Sequence, residues 1–158
     1  MIFAAIDPGS VHAAIAVFVD ATPLFVDDIP ITGKMIDGVA LAKTLADMGV
    51  QHVVIENVHS MPTQGVTGVF NFGMGTGIIH GVVAALRLPH TLVAPTLWKG
   101  FHRLDADKEK SRGLALQKWP EHHERLARKK DANRAEALLI GDWFYVRFVV
   151  PRTLEALP

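Results

Sequence analysis

Short apolar runs separated by turn residues occupy the first third of the chain, and this pattern predicts strands before helices. Turn residues of the Asp-Pro-Gly-Ser type separate the first two runs, and a Thr-Pro pair precedes the third. Three strands so close together predict an antiparallel meander. Two further apolar runs lie later in the chain. The predicted strands cover residues 2–6, 13–19, 24–29, 53–55 and 91–93.

Apolar residues at helical spacing predict four helices, which cover residues 38–48, 66–86, 108–119 and 132–148. Gly49 and Pro120 are suitable helix stops. Antiparallel strands first and strand–helix alternation later are typical of an α/β fold with a mixed sheet. We therefore expect a central mixed five-stranded sheet flanked by helices. Without an internal repeat or linker, residues 1–158 are expected to form a single domain.

The second predicted helix carries small residues in one stripe, formed by Gly73, Gly77, Gly81 and Ala85. A glycine inside a helix costs up to about 1 kcal/mol relative to alanine, so the stripe needs a packing reason. We expect close approach to a sheet or to a neighbouring helix, and that helix could belong to an opposite subunit.

The composition is that of a globular protein, with 49% hydrophobic and 20% charged residues. The absence of cysteine excludes disulfides and thiolate metal sites, and is expected of a cytoplasmic protein. No uninterrupted apolar run reaches the roughly 18 to 20 residues of a membrane helix, and no basic flank precedes an apolar segment at the N-terminus. We therefore expect neither a membrane span nor a secretory signal.

The formal net charge is zero, but the charges are unevenly distributed. Residues 1–98 contain 3 Lys and Arg against 7 Asp and Glu, whereas residues 99–134 contain 11 against 6. Lys and Arg bind polyanions by displacing phosphate counterions, so the second segment is a candidate nucleic-acid surface. An ordinary solvated helix surface is the alternative.

Four acidic residues lie in sequence contexts that favour a catalytic or metal-binding role. Asp7 and Glu56 each directly follow an apolar strand, while Asp131 and Glu136 flank the start of the last helix. Glu136 is surrounded by Ala and Leu, where an unpaired carboxylate is costly to bury. Mg²⁺ and Mn²⁺ prefer oxygen ligands of this kind. Taken singly, Asp7 could be a turn former, Asp131 a helix N-cap, and Glu56 the partner of a basic residue.

Taken together and in order, four segments resemble the motifs of RuvC-type Holliday junction resolvases, in the ribonuclease-H-like superfamily. The last segment is most similar to the phage-type branch, and the resemblance spans roughly residues 2–145. The segments are Ile6-Asp7-Pro8-Gly9-Ser10, Val54-Ile55-Glu56 with Gln64-Gly65-Val66 and Phe70-Asn71-Phe72-Gly73, Val93-Ala94-Pro95-Thr96-Leu97-Trp98-Lys99, and Lys129-Lys130-Asp131 with Arg134-Ala135-Glu136-Ala137-Leu138-Leu139.

This resemblance implies a ribonuclease-H-like fold and a crossover junction endodeoxyribonuclease of DNA recombination and repair. A homodimer would cut four-way DNA symmetrically, using two Mg²⁺ ions (Mn²⁺ is possible) in each active site. The implied catalytic residues and metal ligands are Asp7, Glu56, Asp131 and Glu136. The implied DNA-contacting residues are Lys99, Lys108, Lys110, Arg112 and Lys118.

One position departs from the bacterial pattern, in which two ligands lie three residues apart on the last helix. The residue three before Glu136 is Asn133, a weaker neutral ligand. Asp131 lies five residues before Glu136, about 140° around an ideal helix, so these two would not share a face. They could converge if Asp131 precedes the first helical turn, so the fourth ligand is either Asp131 or Asn133.

Three other functions fit parts of the pattern. A nuclease of the same fold could act on other DNA or on RNA, and only substrate geometry would separate it from a resolvase. A non-catalytic binder of branched DNA would lack an acidic ligand. A sugar-kinase or actin-like ATPase also carries an Asp-Pro-Gly-Ser type loop, but needs two such domains. The three tryptophans, Trp98, Trp119 and Trp143, are interpreted most simply as core or interface aromatics.

Overall fold

The computed structural model describes residues 1–9, 12–58 and 65–151. Ser10 and Gln64 of the sequence motifs lie outside these ranges. The strands are β1 (Ile2–Asp7), β2 (Ala14–Val19), β3 (Thr22–Asp28), β4 (Ile31–Thr32), β5 (Met35–Ile36), β6 (His52–Glu56) and β7 (His90–Val93). The α-helices are α1 (Gly38–Asp47), α2 (Val66–Ala85), α3 (Pro95–Phe101), α4 (Lys108–Lys118) and α5 (Ala132–Phe144).

Five strands form one mixed sheet in the order β3-β2-β1-β6-β7. The first three strands pair antiparallel, as the meander pattern predicted. β6 and β7 continue the sheet from β1 in parallel, because α1 and α2 return the chain to the same edge before each strand. The predicted α/β fold with a mixed five-stranded sheet is confirmed.

The two faces of the sheet bury alternate residues of each strand. In β1, Phe3 and Ala5 join the core beneath α5, whereas Ala4 and Ile6 join the core beneath α1 and α2. Because side chains alternate across a strand, Asp7 has the phase of the α5 face. Val54 of β6 also belongs to the α5 core, so Glu56 has the same phase. Both acidic residues therefore end adjacent strands on one face.

Gly141 sets how closely α5 approaches the sheet. A Cβ atom at this position would lie 2.2 Å from Cε2 of Phe18 on β2. Phe18 is fully buried and stacks on Phe3, with ring centroids 5.0 Å apart, so its ring has little room to move. Glycine is therefore the residue that fits between α5 and β2.

Helix α2 buries two apolar residues, and its other apolar residues are half-buried or exposed. Ile79 and Val83 are buried on the sheet, but a Cβ at Gly73, Gly77 or Gly81 would meet nothing within 4 Å among the described residues. Within the described residues, the stripe therefore does not pack closely against its own chain, and a helix of an opposite subunit stays a prediction. Contrary to expectation, this 20-residue helix is long and apolar enough to cross a membrane, judged by length and composition alone. A single helix of this kind is weak support for membrane insertion.

Several local elements were not predicted. β4 and β5 form a separate two-stranded hairpin after β3. α3 follows the predicted fifth strand, where no helix was expected, and it begins at Pro95, whose fixed φ suits a first helical position. The last α-helix ends at Phe144 rather than at residue 148, and a π-helical turn, Tyr145–Val149, follows it. Short 3₁₀ turns at Pro120–Leu126 and Lys129–Asp131 connect α4 to α5.

Candidate active site

Asp7 and Glu56 lie side by side at the carboxyl ends of β1 and β6. Ile6 pairs with Ile55 in the parallel ladder, so the next residue on each strand is one of these acids. Both are buried, with 2% of Asp7 and 6% of Glu56 exposed. The backbone N–H of Gly9 donates to Oδ1 of Asp7 at 2.9 Å. Gly9 has a φ of +52°, and a Cβ there would lie 2.0 Å from the carbonyl oxygen of His12, so the turn that holds Asp7 requires glycine.

Glu136 enters the same region from α5 and is also buried. Its Oε1 accepts a hydrogen bond from Oγ of Ser111 at 3.3 Å and lies 3.1 Å from Nζ of Lys99. Its Oε2 lies 3.0 Å from Nζ of Lys108. Two ammonium groups and one hydroxyl therefore offset the cost of burying this carboxylate.

The three carboxylates behave as one electrostatic group. The pKa of Asp7 is raised to about 8, chiefly by burial and also by the charges of Glu56 and Glu136, against the opposing charge of Lys108. Burial also raises the pKa of Glu56, with Glu136 adding to the effect. Burial lowers the pKa of Lys108, but the carboxylates of Asp7, Glu136 and Glu56 outweigh this, so its pKa is raised. The ammonium of Lys108 thus provides positive charge shared among all three acids.

Asp7, Glu56 and Glu136, together called the acidic group, have the chemistry of a site for a hard cation. In this structure the ammonium of Lys108 provides the positive charge among them. Among residues 1–9, 12–58 and 65–151, no three His, Cys, Asp or Glu side chains are placed closely enough to hold one metal ion. Oδ2 of Asp7, however, is buried without a hydrogen-bond partner in that part of the chain. A buried carboxylate oxygen without a partner is costly, and a divalent cation is the ligand that three such acids favour. The chemistry of these oxygen donors is that of a Mg²⁺ or Mn²⁺ site, whereas their spacing in this structure is not yet that of one.

Asp131 is not part of the acidic group. It precedes α5 in a 3₁₀ turn, where its carboxylate accepts bonds from Nη2 and Nε of Arg128 at 2.8 and 3.1 Å. Nη1 of Arg134 lies 3.7 Å away on its other side. Burial raises the pKa of Asp131, but these arginine contacts outweigh it and the pKa is lowered. The structure thus gives Asp131 arginine partners, and the charges that act on it are those of Arg128 and Arg134.

Asn133, three residues before Glu136, contacts a lysine of the acidic site. Its Oδ1 accepts a hydrogen bond from Nζ of Lys108 at 2.6 Å, the same ammonium that pairs with Glu136. Its Nδ2 donates to the carbonyl oxygen of His12, beside the turn that holds Asp7. Of the two candidates for a fourth ligand, Asn133 therefore lies next to the site.

The five basic residues assigned to DNA contact have different surroundings. Lys99 and Lys108 belong to the acidic site itself. Lys110 is exposed and pairs with Asp105. Arg112 pairs with Glu109 at 2.9 Å and donates to the carbonyl oxygen of Leu126 at 3.0 Å, which ties α4 to the following turn. Lys118 pairs with Asp142 at 2.6 Å.

Two lysines that were not in that set lie near the site and are exposed to solvent. Lys129 and Lys130 are exposed and line an open cleft of about 480 Å³ together with Lys108 and Asn133. This cleft, the lysine cleft, leads from the surface towards the acidic group. In the sequence these residues stood out only as part of a motif, because their spatial proximity to Lys108 depends on the turn between α4 and α5.

Trp98 has a polar role that its sequence context did not indicate. It is fully buried in the α5 core, as expected for a core aromatic. Its indole Nε1–H also donates to Oε1 of Glu56 at 2.8 Å. The following residue, Lys99, reaches Glu136, so two consecutive residues of α3 contact two different acids of the site.

Known structures share this fold, although sequence comparison alone finds no relative. No protein-family model and no curated protein matches the chain significantly. Thermus thermophilus RuvC in complex with a Holliday junction substrate superposes with a TM-score of 0.64 at 17% identity, covering 93% of this chain and 96% of that one. A second T. thermophilus RuvC structure gives 0.61 at 14%, covering 91% and 95%. The fowlpox virus Holliday junction resolvase gives 0.58 at 12%, covering 92% and 99%. The chain therefore has the RuvC-type, ribonuclease-H-like fold that its motifs predicted.

Proposed function

We propose that this chain is a structure-selective endonuclease that resolves four-way DNA junctions by metal-dependent phosphodiester hydrolysis. The observation that carries the proposal is the meeting of Asp7, Glu56 and Glu136, from three separate elements, in one buried group. The RuvC-type fold adds support, since its solved examples include resolvases bound to Holliday junction substrate. Fold alone does not determine function, so the proposal depends on the site.

In this proposal Asp7, Glu56 and Glu136 hold two divalent cations, with Asn133 as a neutral fourth donor. When bound, such ions activate a water molecule and stabilise the leaving oxygen of the phosphodiester. Lys108 and Lys99 exchange part of their pairing with Glu136 for the phosphate of the substrate, because both ammonium groups already lie within about 3 Å of that carboxylate. Lys129 and Lys130 guide the DNA backbone through the lysine cleft, where they position the strand without reading bases.

Cleavage of defined substrates tests the proposal. We expect nicking of a four-way junction in Mg²⁺, with linear duplex and RNA–DNA hybrid cut much more slowly. Glu56→Gln is expected to abolish nicking and to leave junction binding intact, because it removes a cation ligand and no surface lysine. Glu121→Gln is the matched control, since Glu121 is exposed in the turn Pro120–Leu126 and does not line the lysine cleft. Full nicking by Glu56→Gln, or equal cutting of all three substrates, would contradict the proposal.

We further propose that the active form is a homodimer joined through α2. The outward stripe of Gly73, Gly77 and Gly81 allows close approach of another helix, and Val66 and Phe70 are 87% and 64% exposed beside it. A second copy is the occupant that this surface fits, because a twofold dimer matches a twofold junction and places one active site on each of two strands.

Oligomeric state and paired nicking test the dimer. Gly77→Leu is expected to give a monomer by sedimentation analysis, since a Cβ there meets nothing within 4 Å in the described part of the chain, whereas a leucine would obstruct a facing helix. Gly113→Leu on α4 is the control, because a Cβ there also meets nothing within 4 Å among the described residues. On a cruciform plasmid, the control is expected to give linear product and Gly77→Leu only nicked circles. A dimeric Gly77→Leu variant, or flotation of the wild-type chain with lipid vesicles, would refute this interface.

A further inference from the structure

The indole N–H of Trp98, a core aromatic residue, donates a hydrogen bond to a charged group. A buried indole needs an acceptor for its N–H, and a backbone carbonyl would satisfy it. Here the acceptor is Oε1 of Glu56, at 2.8 Å, inside the acidic group. This hydrogen bond opposes the effect of burial on Glu56, and therefore favours the charged carboxylate.

The surroundings of Trp98 fix the direction of this bond. The ring is fully buried in the α5 core, edge-on to His102, with the two ring centroids 6.4 Å apart. Nζ of Lys99 lies 5.1 Å from its centroid on the way to Glu136. A fully buried ring in a close-packed core cannot rotate freely, so its N–H holds Oε1 of Glu56 in one place.

We infer that Trp98 is the positioning residue of Glu56: its indole N–H occupies Oε1 and leaves Oε2 as the oxygen offered to a cation. The inference rests on the proposed function, in which Glu56 is a ligand. It assigns Trp98 no contact with substrate. Partners that orient a ligand in this way commonly change metal affinity by about 10- to 100-fold when removed.

Trp98→Phe removes the N–H and retains an aromatic ring. Trp119→Phe is the matched control, because Trp119 is buried in the same core and also has a lysine, Lys118, over its ring at 5.4 Å. For Trp98→Phe we expect the Mg²⁺ concentration giving half-maximal junction nicking to rise about tenfold. Junction binding of Trp98→Phe in Mg²⁺-free buffer is expected to remain unchanged. For the control Trp119→Phe, we expect neither the Mg²⁺ requirement nor junction binding to change. An unaltered Mg²⁺ requirement in Trp98→Phe would overturn the inference.

An NMR measurement on the intact chain gives an answer that depends on neither activity nor the folding of a Trp98 variant. The three tryptophans give three indole N–H cross-peaks in ¹⁵N-labelled protein, and their assignment is completed by through-bond experiments. Glu56→Gln is expected to shift the Trp98 peak selectively, because a neutral amide replaces the carboxylate acceptor. Added Mg²⁺ is expected to shift the same peak in the wild-type chain and not in Glu56→Gln.

The two proposals fail in different ways. A Trp98 peak that moves with neither Glu56→Gln nor Mg²⁺, in a protein that still nicks junctions, would overturn the positioning role alone. A peak that responds to both, in a protein that cuts no junction, would support the positioning role and reject the resolvase function.

Discussion

Replacing Asp7 with asparagine removes a buried ionisable group while keeping the shape of the side chain. Asp7 is 2% exposed, and burial together with Glu56 and Glu136 raises its pKa from 3.8 to about 8. Because one pKa unit corresponds to about 1.4 kcal/mol, this rise sets a ceiling of roughly 6 kcal/mol on the cost of charging Asp7 in the folded chain. Asparagine carries no charge and avoids this cost.

The pH dependence has a definite sign. A carboxyl whose pKa is higher in the folded than in the unfolded chain binds more protons when folded between these two values. Its contribution to stability is therefore complete below about pH 4, decreases from there to about pH 8, and changes little above pH 8. Without divalent cations, we expect Asp7→Asn to be more stable than the wild type at pH 9, and this advantage to disappear towards pH 4.

Urea unfolding at pH 5, 7 and 9, in EDTA and in Mg²⁺, measures this effect. For a domain of this size 1 kcal/mol moves the thermal midpoint by roughly 2–4 °C, so thermal scans also resolve it. Mg²⁺ is expected to stabilise the wild type at pH 9 and to leave Asp7→Asn nearly unchanged. Asp47→Asn, at an exposed carboxylate on α1, is the control. Equal stability of wild type and Asp7→Asn at every pH, with equal responses to Mg²⁺, would refute the reasoning.

Three further predictions concern the surroundings of the site. Arg134→Gln is expected to lower the free energy of unfolding in urea by roughly 2–4 kcal/mol, because Arg134 is buried and forms a bidentate pair with Asp28; a loss below about 0.5 kcal/mol would show that this pair is dispensable. Junction affinity is expected to fall steeply with salt, and Lys129→Gln or Lys130→Gln to reduce the log–log slope by about one each; a flat titration would exclude the lysine cleft as the DNA path. Asn133→Asp is expected to lower the Mg²⁺ concentration needed for thermal stabilisation, since it adds a charged donor beside Lys108; an unchanged requirement would place Asn133 outside the cation site.

The sequence carried most of the information about Asp7 and Glu56, because strand ends and side-chain alternation are local properties. Each acid directly follows an apolar run, and each run has the length of a strand. Their convergence then follows from parallel pairing of β1 and β6. Glu136 was recognisable for a different reason, since a carboxylate among Ala and Leu needs a charged partner.

The partners themselves could not be predicted, because they depend on contacts between distant segments. Lys99 and Lys108 stood out as DNA contacts, yet both pair with Glu136. Asp131 did carry a local signal, since Arg128 and Arg134 lie three residues on either side of it and can reach it from a turn. The hairpin of β4 and β5 has only two residues in each strand, which is too short for periodicity to reveal.

The absent side chain at Gly141 has a consequence for how this protein can change over evolution. Glu136 lies five residues earlier on the same helix, so the gap between α5 and β2 also governs how deeply this acid reaches towards Asp7. Any larger residue at position 141 would push α5 away from Phe18. Glu136 would then lie farther from Asp7 and Glu56. A descendant of this chain could thus retain every acid and lysine named above and still lose the active site. Gly141→Ala, which adds one methyl group more than a helical turn from Glu136, would be enough.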